Sequence, residues 1–253
     1  MALKSYQCFA TLSLALSMGL AMSSSLPVAA TSPYARQQQS AVSRGEVFTI
    51  ARLPFRLPGI RPSYRLEGGA ARGSCSTEQI EMKALLPNTN IGYTTAQKPT
   101  VFFQISKTSA QEAKFSLLSP NAKESLLIYE KNFPLTGTGG VMSFTLPADA
   151  PALEVGKEYH WEVALVCNTG DGDQGGNTHI QGAITRVQPS PTFASQLQAA
   201  SPRDRAALYA DQGYWYDALK ALADLRSANP NDPSLVSDWE YLLNSANLST
   251  SAQ

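Results

Sequence analysis

The chain has 253 residues, 43% of them hydrophobic, with 20 basic and 20 acidic side chains and a formal net charge of zero. That is enough apolar material for a real core in one large or two small domains, and it is a poor fit to a nucleic-acid binder. The balance hides an asymmetry: residues 31–72 carry seven arginines (Arg36, Arg44, Arg52, Arg56, Arg61, Arg65, Arg72) against Glu46 and Glu67, about +5, which leaves the rest of the mature chain at about −6.

Residues 1–30 read as a signal peptide cut after Ala30. Lys4 supplies the positive start, Phe9 to Ala21 the apolar run, and Val28-Ala29-Ala30 the small-residue cleavage pattern. The run falls short of the roughly twenty residues that span a bilayer, which argues against an uncleaved anchor. Tyr6-Gln7 before Cys8 lacks the small apolar residues of a lipid-attachment site. A periplasmic or secreted protein without a transmembrane segment after cleavage is expected. Export sets the cysteine chemistry, because Cys8 leaves with the signal and only Cys75 and Cys167 remain. In an oxidising compartment these two are expected to bond, with two buried free thiols as the alternative. Closing so long a loop would stabilise by roughly 4 to 5 kcal/mol on the chain-entropy account. With no CxxC spacing, a metal site is poorly supported.

Residues 31–67 form an arm rich in Gln, Ser, Arg and Pro, where Pro33, Pro54, Pro58 and Pro62 interrupt any period. It should be extended or disordered, apart from one edge strand at Glu46–Ile50. The arm and the acidic body attract, and the sequence leaves open whether the arm folds back or reaches an anionic partner. Gly68 to Cys75 (GGAARGSC) lacks the phosphate-loop spacing and reads as a tight turn.

Residues 68–188 carry the period of two. Ile80, Met82, Ala84 and Leu86 share one strand face, and Val101, Phe103 and Ile105 another. Ala113, Phe115 and Leu117 make a third; Leu126 to Phe133 follows, then Met142, Phe144 and Leu146. Lys157 to Cys167 places Tyr159, Trp161, Val163, Leu165 and Cys167 inward, and Thr178 to Val187 completes seven strands. Leu153, Gly156 and Tyr159 have the spacing of the loop-to-strand corner of immunoglobulin-like and fibronectin-type sandwiches, in which a tyrosine hydroxyl returns to backbone upstream. The fold class expected is therefore mainly β: an immunoglobulin/fibronectin-like antiparallel sandwich. The loop Asn168–Asn177 puts Asp171 and Asp173 at calcium-ligand spacing, but Gly175 and Gly182 stand where further ligands are required, and a mobile hairpin loop is the better reading.

Residues 191–247 turn helical. Phe193, Leu197 and Ala200 suit one short helix; Ser201-Pro202 starts a second. The spacing of Tyr209, Gly213, Trp215, Ala218, Leu222, Leu225 and Pro230 resembles a tetratricopeptide (TPR-like) hairpin, and Asp232-Pro233 opens a helix with Trp239, Leu242 and Leu243. One repeat and part of a second do not stand alone, so these helices should pack on the sandwich, on each other in a homodimer, or on a partner.

The ordered run RLEGGAARGSC, ALLPNTNIGYTTAQKPTVFF, FPLTGTGGVMSFTLPADAPALEVGKEYHWEVALVC, VQPSP and RAALYADQGYWYDALKALADLR resembles the cyanobacterial domain-of-unknown-function family 928, over about residues 66–245. The resemblance implies an exported protein and transfers no reaction, ligand or active site.

Catalytic motifs are lacking. His160 and His179 have no partner at motif spacing and read as solvated strand histidines; Glu158 and Glu162 read as outward, solubilising carboxylates. No catalytic, cofactor-binding or metal residue is assigned. The reading is a non-catalytic protein–protein interaction or cell-envelope scaffold module, with Tyr214, Trp215, Tyr216 and Trp239 as candidate partner-binding residues. For Trp215 the hairpin's own core is the preferred role. A carbohydrate-binding sandwich, using Phe102 and Tyr129 as outward aromatics, and an enzyme with an unrecognised site are the alternatives.

Overall fold

Alternating side chains make strands from Ala70 onwards, and the apolar faces of the two sheets cover one another. The structure, a computed structural model, describes residues 55–56, 70–75, 78–120, 125–166 and 178–248, all within the unit Phe48–Gln253, with side chains at 70–79 and 120 left aside. The expected signal peptide, the edge strand at Glu46–Ile50, the loop at 168–177 and Cys167 lie outside these residues, so the Cys75–Cys167 pairing does too.

The described strands are β1 (Ala70–Cys75), β2 (Glu78–Ala84), β3 (Ile91–Thr94), β4 (Thr100–Ile105), β5 (Glu112–Pro120), β6 (Ser125–Pro134), β7 (Gly140–Thr145), β8 (Glu158–Val166) and β9 (His179–Arg186). They form a four-stranded sheet in the order β1-β2-β4-β7 and a five-stranded sheet in the order β3-β9-β8-β5-β6. Two strands exceed the sequence reading. β1 arises from the stretch taken as a turn, and pairs with β2. β3 is only four residues long, too short to register as an alternating run, and it pairs with β9 in parallel, so the second sheet is mixed rather than purely antiparallel.

One hydrophobic core fills the space between the sheets. Tyr159, Trp161, Val163 and Leu165 of β8 are all buried, as their alternation requires. Phe115 of β5 stacks on Phe144 of β7 at 4.3 Å and 17°, joining the two sheets across the core. Opposite Trp161 in β9 stands Gly182. A Cβ there would lie 2.5 Å from the Trp161 ring and 2.3 Å from Leu86, so only glycine leaves room for the indole. At the corner before β8 the Glu154 N–H donates to the Tyr159 hydroxyl at 3.1 Å, the return to upstream backbone that the Leu153-Gly156-Tyr159 spacing implies.

Among the described residues four helices follow the strands: α1 (Pro191–Ala199), α2 (Pro202–Asp211), α3 (Trp215–Ala228) and α4 (Pro233–Ser245). Ser190, Ser201 and Asp232 cap α1, α2 and α4 by accepting backbone N–H groups, each with proline in the first turn. α3 has no side-chain cap. Its first turn is held instead by the strands, and the buried residues of α2 and α3, with Trp239, Leu242 and Leu243 of α4, belong to the same core as those of both sheets.

Candidate interaction site

Three consecutive residues of α3 reach three different parts of the β structure. The Trp215 indole N–H donates to the Leu85 carbonyl at 2.8 Å, just beyond β2. The Tyr216 hydroxyl accepts from the Trp161 indole N–H at 2.8 Å and donates to the Ala183 carbonyl at 2.9 Å. Complete burial holds that phenol far above its ordinary pKa, so it stays a neutral donor. The ring lies against bare backbone: a Cβ on Gly92 of β3 would come within 2.8 Å of it. Asp217 accepts the Thr95 N–H at 2.9 Å and the Thr95 hydroxyl at 3.0 Å. Burial pushes its carboxyl up to about 6, a rise that these hydrogen bonds moderate.

With α3 anchored on one side, α2 and α4 are tied together on the other. Arg203 of α2 makes a two-pronged contact with Asp238 of α4, Nε to Oδ2 at 2.7 Å and Nη2 to Oδ1 at 3.0 Å. Between these helices a groove is filled from an unexpected quarter, the basic arm. Phe55 is buried and meets Trp215 edge-on, with ring centroids 4.6 Å apart at 67°. Its N–H donates to the Ser245 hydroxyl at 3.3 Å, and the Arg56 N–H donates to the Ala210 carbonyl at 3.2 Å. The Arg56 guanidinium then pairs with Asp211 at 2.8 Å. Sequence reasoning left the arm's destination open; at Phe55–Arg56 it lies on the acidic body. The signal was Pro54-Phe55-Arg56 itself, an aromatic and a cation behind a proline within a polar segment.

Most of the sequence-predicted site residues are placed elsewhere than expected. Trp215 and Tyr216 are buried under the strands, as described, and Trp239 is 4% exposed, its ring 6.0 Å from Phe102 of β4 and 5.0 Å from the Arg226 guanidinium. Their rings are engaged within the chain, unlike the surface anchors expected; for Trp215, whose preferred role was the hairpin's own core, the core it joins is the one shared with the strands. Tyr214 is half-buried, edge-on to Phe193 of α1 at 5.3 Å. Phe102 is likewise not an outward aromatic, because Trp239 covers it, and Tyr129 is half-buried with its hydroxyl 3.4 Å from Asp149. His160 is not solvated: it is 3% exposed and its Nε2 lies 2.9 Å from Glu158 Oε1. The outer face of β8 is thus not open to water at His160, contrary to the alternation reading. His179 and Glu162 are half-buried, and Glu162 Oε2 accepts from Gln181 at 3.4 Å.

Among the described residues, large apolar side chains are exposed at the sheet edges, with Leu126 and Leu127 of β6 at 61% and 50% and Val141 of β7 at 43%, and also at Val155 before β8 and Val236 of α4. β6 carries an inward lysine, Lys131, paired with Asp149 at 3.6 Å, a device that discourages strand addition. Among the described residues no group of three His, Cys, Asp or Glu side chains is placed to hold a metal, and no helix is long and apolar enough to cross a membrane.

A family model described as Domain of Unknown Function (DUF928) matches residues 67–253. No curated protein matches the chain. Among solved structures, one titled "Crystal structure of the C-terminal domain of wzt" is similar at 16% identity, over 53% of this chain and 83% of that one, with a TM-score of 0.27.

Proposed function

The chain belongs to the DUF928 family, and from that premise we propose that it is an exported, non-catalytic module for protein–protein interaction or scaffolding in the cell envelope. In this reading residues 1–30 are removed, and the two sheets are an immunoglobulin/fibronectin-like sandwich carrying TPR-like helices. Cys75 ends β1 and Cys167 directly follows β8. Because β1 and β8 lie in different sheets, a bond between them would staple one layer to the other.

The observation that supports an interaction role is the groove of α2, α3 and α4. It takes Phe55–Arg56 through one buried aromatic, two backbone N–H groups and one ion pair, the mixture by which peptide-recognition surfaces hold their ligands. The carbohydrate alternative is less favoured, since Phe102 is covered and a row of outward aromatics is what such a face needs.

Photo-crosslinking in the producing cell tests this reading. A crosslinking residue at exposed Gln212, beside the groove, should capture a discrete envelope protein, whereas one at Val141 on the far sheet edge should not. A mature amino terminus at Thr31 should accompany it. A cytoplasmic protein with an intact amino terminus, or the same adducts from both positions, would contradict the proposal.

A further inference from the structure

Two features of the Phe55–Arg56 contact are those of a ligand rather than of a fold element. Its two residues belong to no strand or helix, and they touch the body by side chain and backbone at four points. The groove supplies a complementary part for each. The face of Trp215 meets the phenyl edge, Ser245 and the Ala210 carbonyl take the two N–H groups, and the carboxyl end of α2 with Asp211 takes the cation. α2 has no basic residue in its last turn, so its negative end is left for a cation from outside the helix.

We infer that the α2–α3–α4 groove is a peptide-binding site for an extended segment presenting an aromatic residue followed by a cation, and that this chain's own Phe55–Arg56 occupies it in cis. Phe55–Arg56 is therefore a plug: a free segment of the same chemistry competes with it, and the site opens when these two residues leave. This deepens the interaction reading above and rests on it for the groove's purpose, while standing apart from it in its test, which needs no cellular partner.

The groove's selectivity follows from its parts. Phenyl burial supplies the apolar contribution, and the two N–H contacts fix the backbone between Ser245 of α4 and Ala210 of α2. The ion pair is exposed on both sides, at 75% for Arg56 and 44% for Asp211, so it steers and selects more than it holds.

The experiment uses the full mature chain and a fluorescent peptide of residues 51–59, ARLPFRLPG, read by anisotropy. The double variant Phe55→Ala/Arg56→Ala, its groove emptied, should bind the peptide at least about ten-fold more tightly than the wild type, in which the arm competes. Replacing the peptide's phenylalanine by alanine should abolish binding to that variant, and adding Asp211→Arg, which sets a like charge against the peptide's arginine, should weaken it several-fold. If removing Phe55 unfolds the protein, Arg56→Glu opens the site from the surface, and Arg56→Glu with Asp211→Arg closes it again. Equal peptide binding by wild type and emptied variant, or none by either, would overturn the inference. So would an arm-dependent dimer lost in Phe55→Ala, since the segment would then serve a second copy instead. A folded variant that binds peptide while the cellular crosslinks fail would leave this site standing and dispose of the envelope reading alone.

Discussion

Tyr216 and Trp161 share a hydrogen bond 55 residues apart in sequence, the indole N–H of β8 meeting the phenol of α3 at 2.8 Å in a fully buried position. The same phenol donates to Ala183 of β9. One oxygen therefore joins the central strand, its neighbour and the helix, and the helices are part of what holds the sheets rather than an appendage to them.

Tyr216→Phe keeps the ring and removes that oxygen, leaving a buried indole donor without its acceptor. A loss of about 1 to 3 kcal/mol in unfolding free energy is expected, read as a lower urea midpoint with an unchanged slope. A midpoint that stays put would mean that water or a rearranged partner replaces the phenol.

Gly182→Ala places a methyl against Trp161 and Leu86, where contacts of 2.5 Å and 2.3 Å would arise. The Leu86 end can swing aside, but the indole is fixed by Tyr216. About 1 to 3 kcal/mol should be lost, with a change in tryptophan emission as the ring shifts. Wild-type emission and stability would contradict the packing described.

Asp217 makes stability depend on pH. Its folded pKa, about 6, stands above the ordinary 3.8, so between these values the folded protein binds more protons than the unfolded chain. Stability should therefore rise as pH falls from about 7 to about 4, by about 2 to 3 kcal/mol relative to Asp217→Asn, in which that contribution is absent. Urea unfolding of both proteins across this range checks it, and parallel curves would remove Asp217 from the account.

The β architecture was legible wherever one face is apolar and the other polar, as in β8, where Tyr159, Trp161, Val163 and Leu165 all point into the core. It failed at β3, where Ile91-Gly92-Tyr93-Thr94 is too short for a period and its glycine exists to admit a helix side chain from over a hundred residues away. It failed again at His160 and Phe102, which alternation places outward; for Phe102 the cover is Trp239 on α4. Aromatics at helical spacing were visible in WYDAL, but which of them face solvent depends on tertiary packing. The groove was invisible for the same reason: its ligand lies 155 residues before Asp211 in the chain, and no local pattern links the two.

Native-state hydrogen exchange of the two indole N–H groups, Trp161 and Trp215, tests the central claim most directly, because one belongs to the strands and the other to the helices, and both are buried and bonded across the junction. If sheets and helices share one core, both protons exchange only through global unfolding, with the same opening free energy as the β8 amides. Should the Trp215 proton exchange together with the helical amides at a distinctly lower free energy while Trp161 stays protected, the helices open independently and the single-core account is wrong.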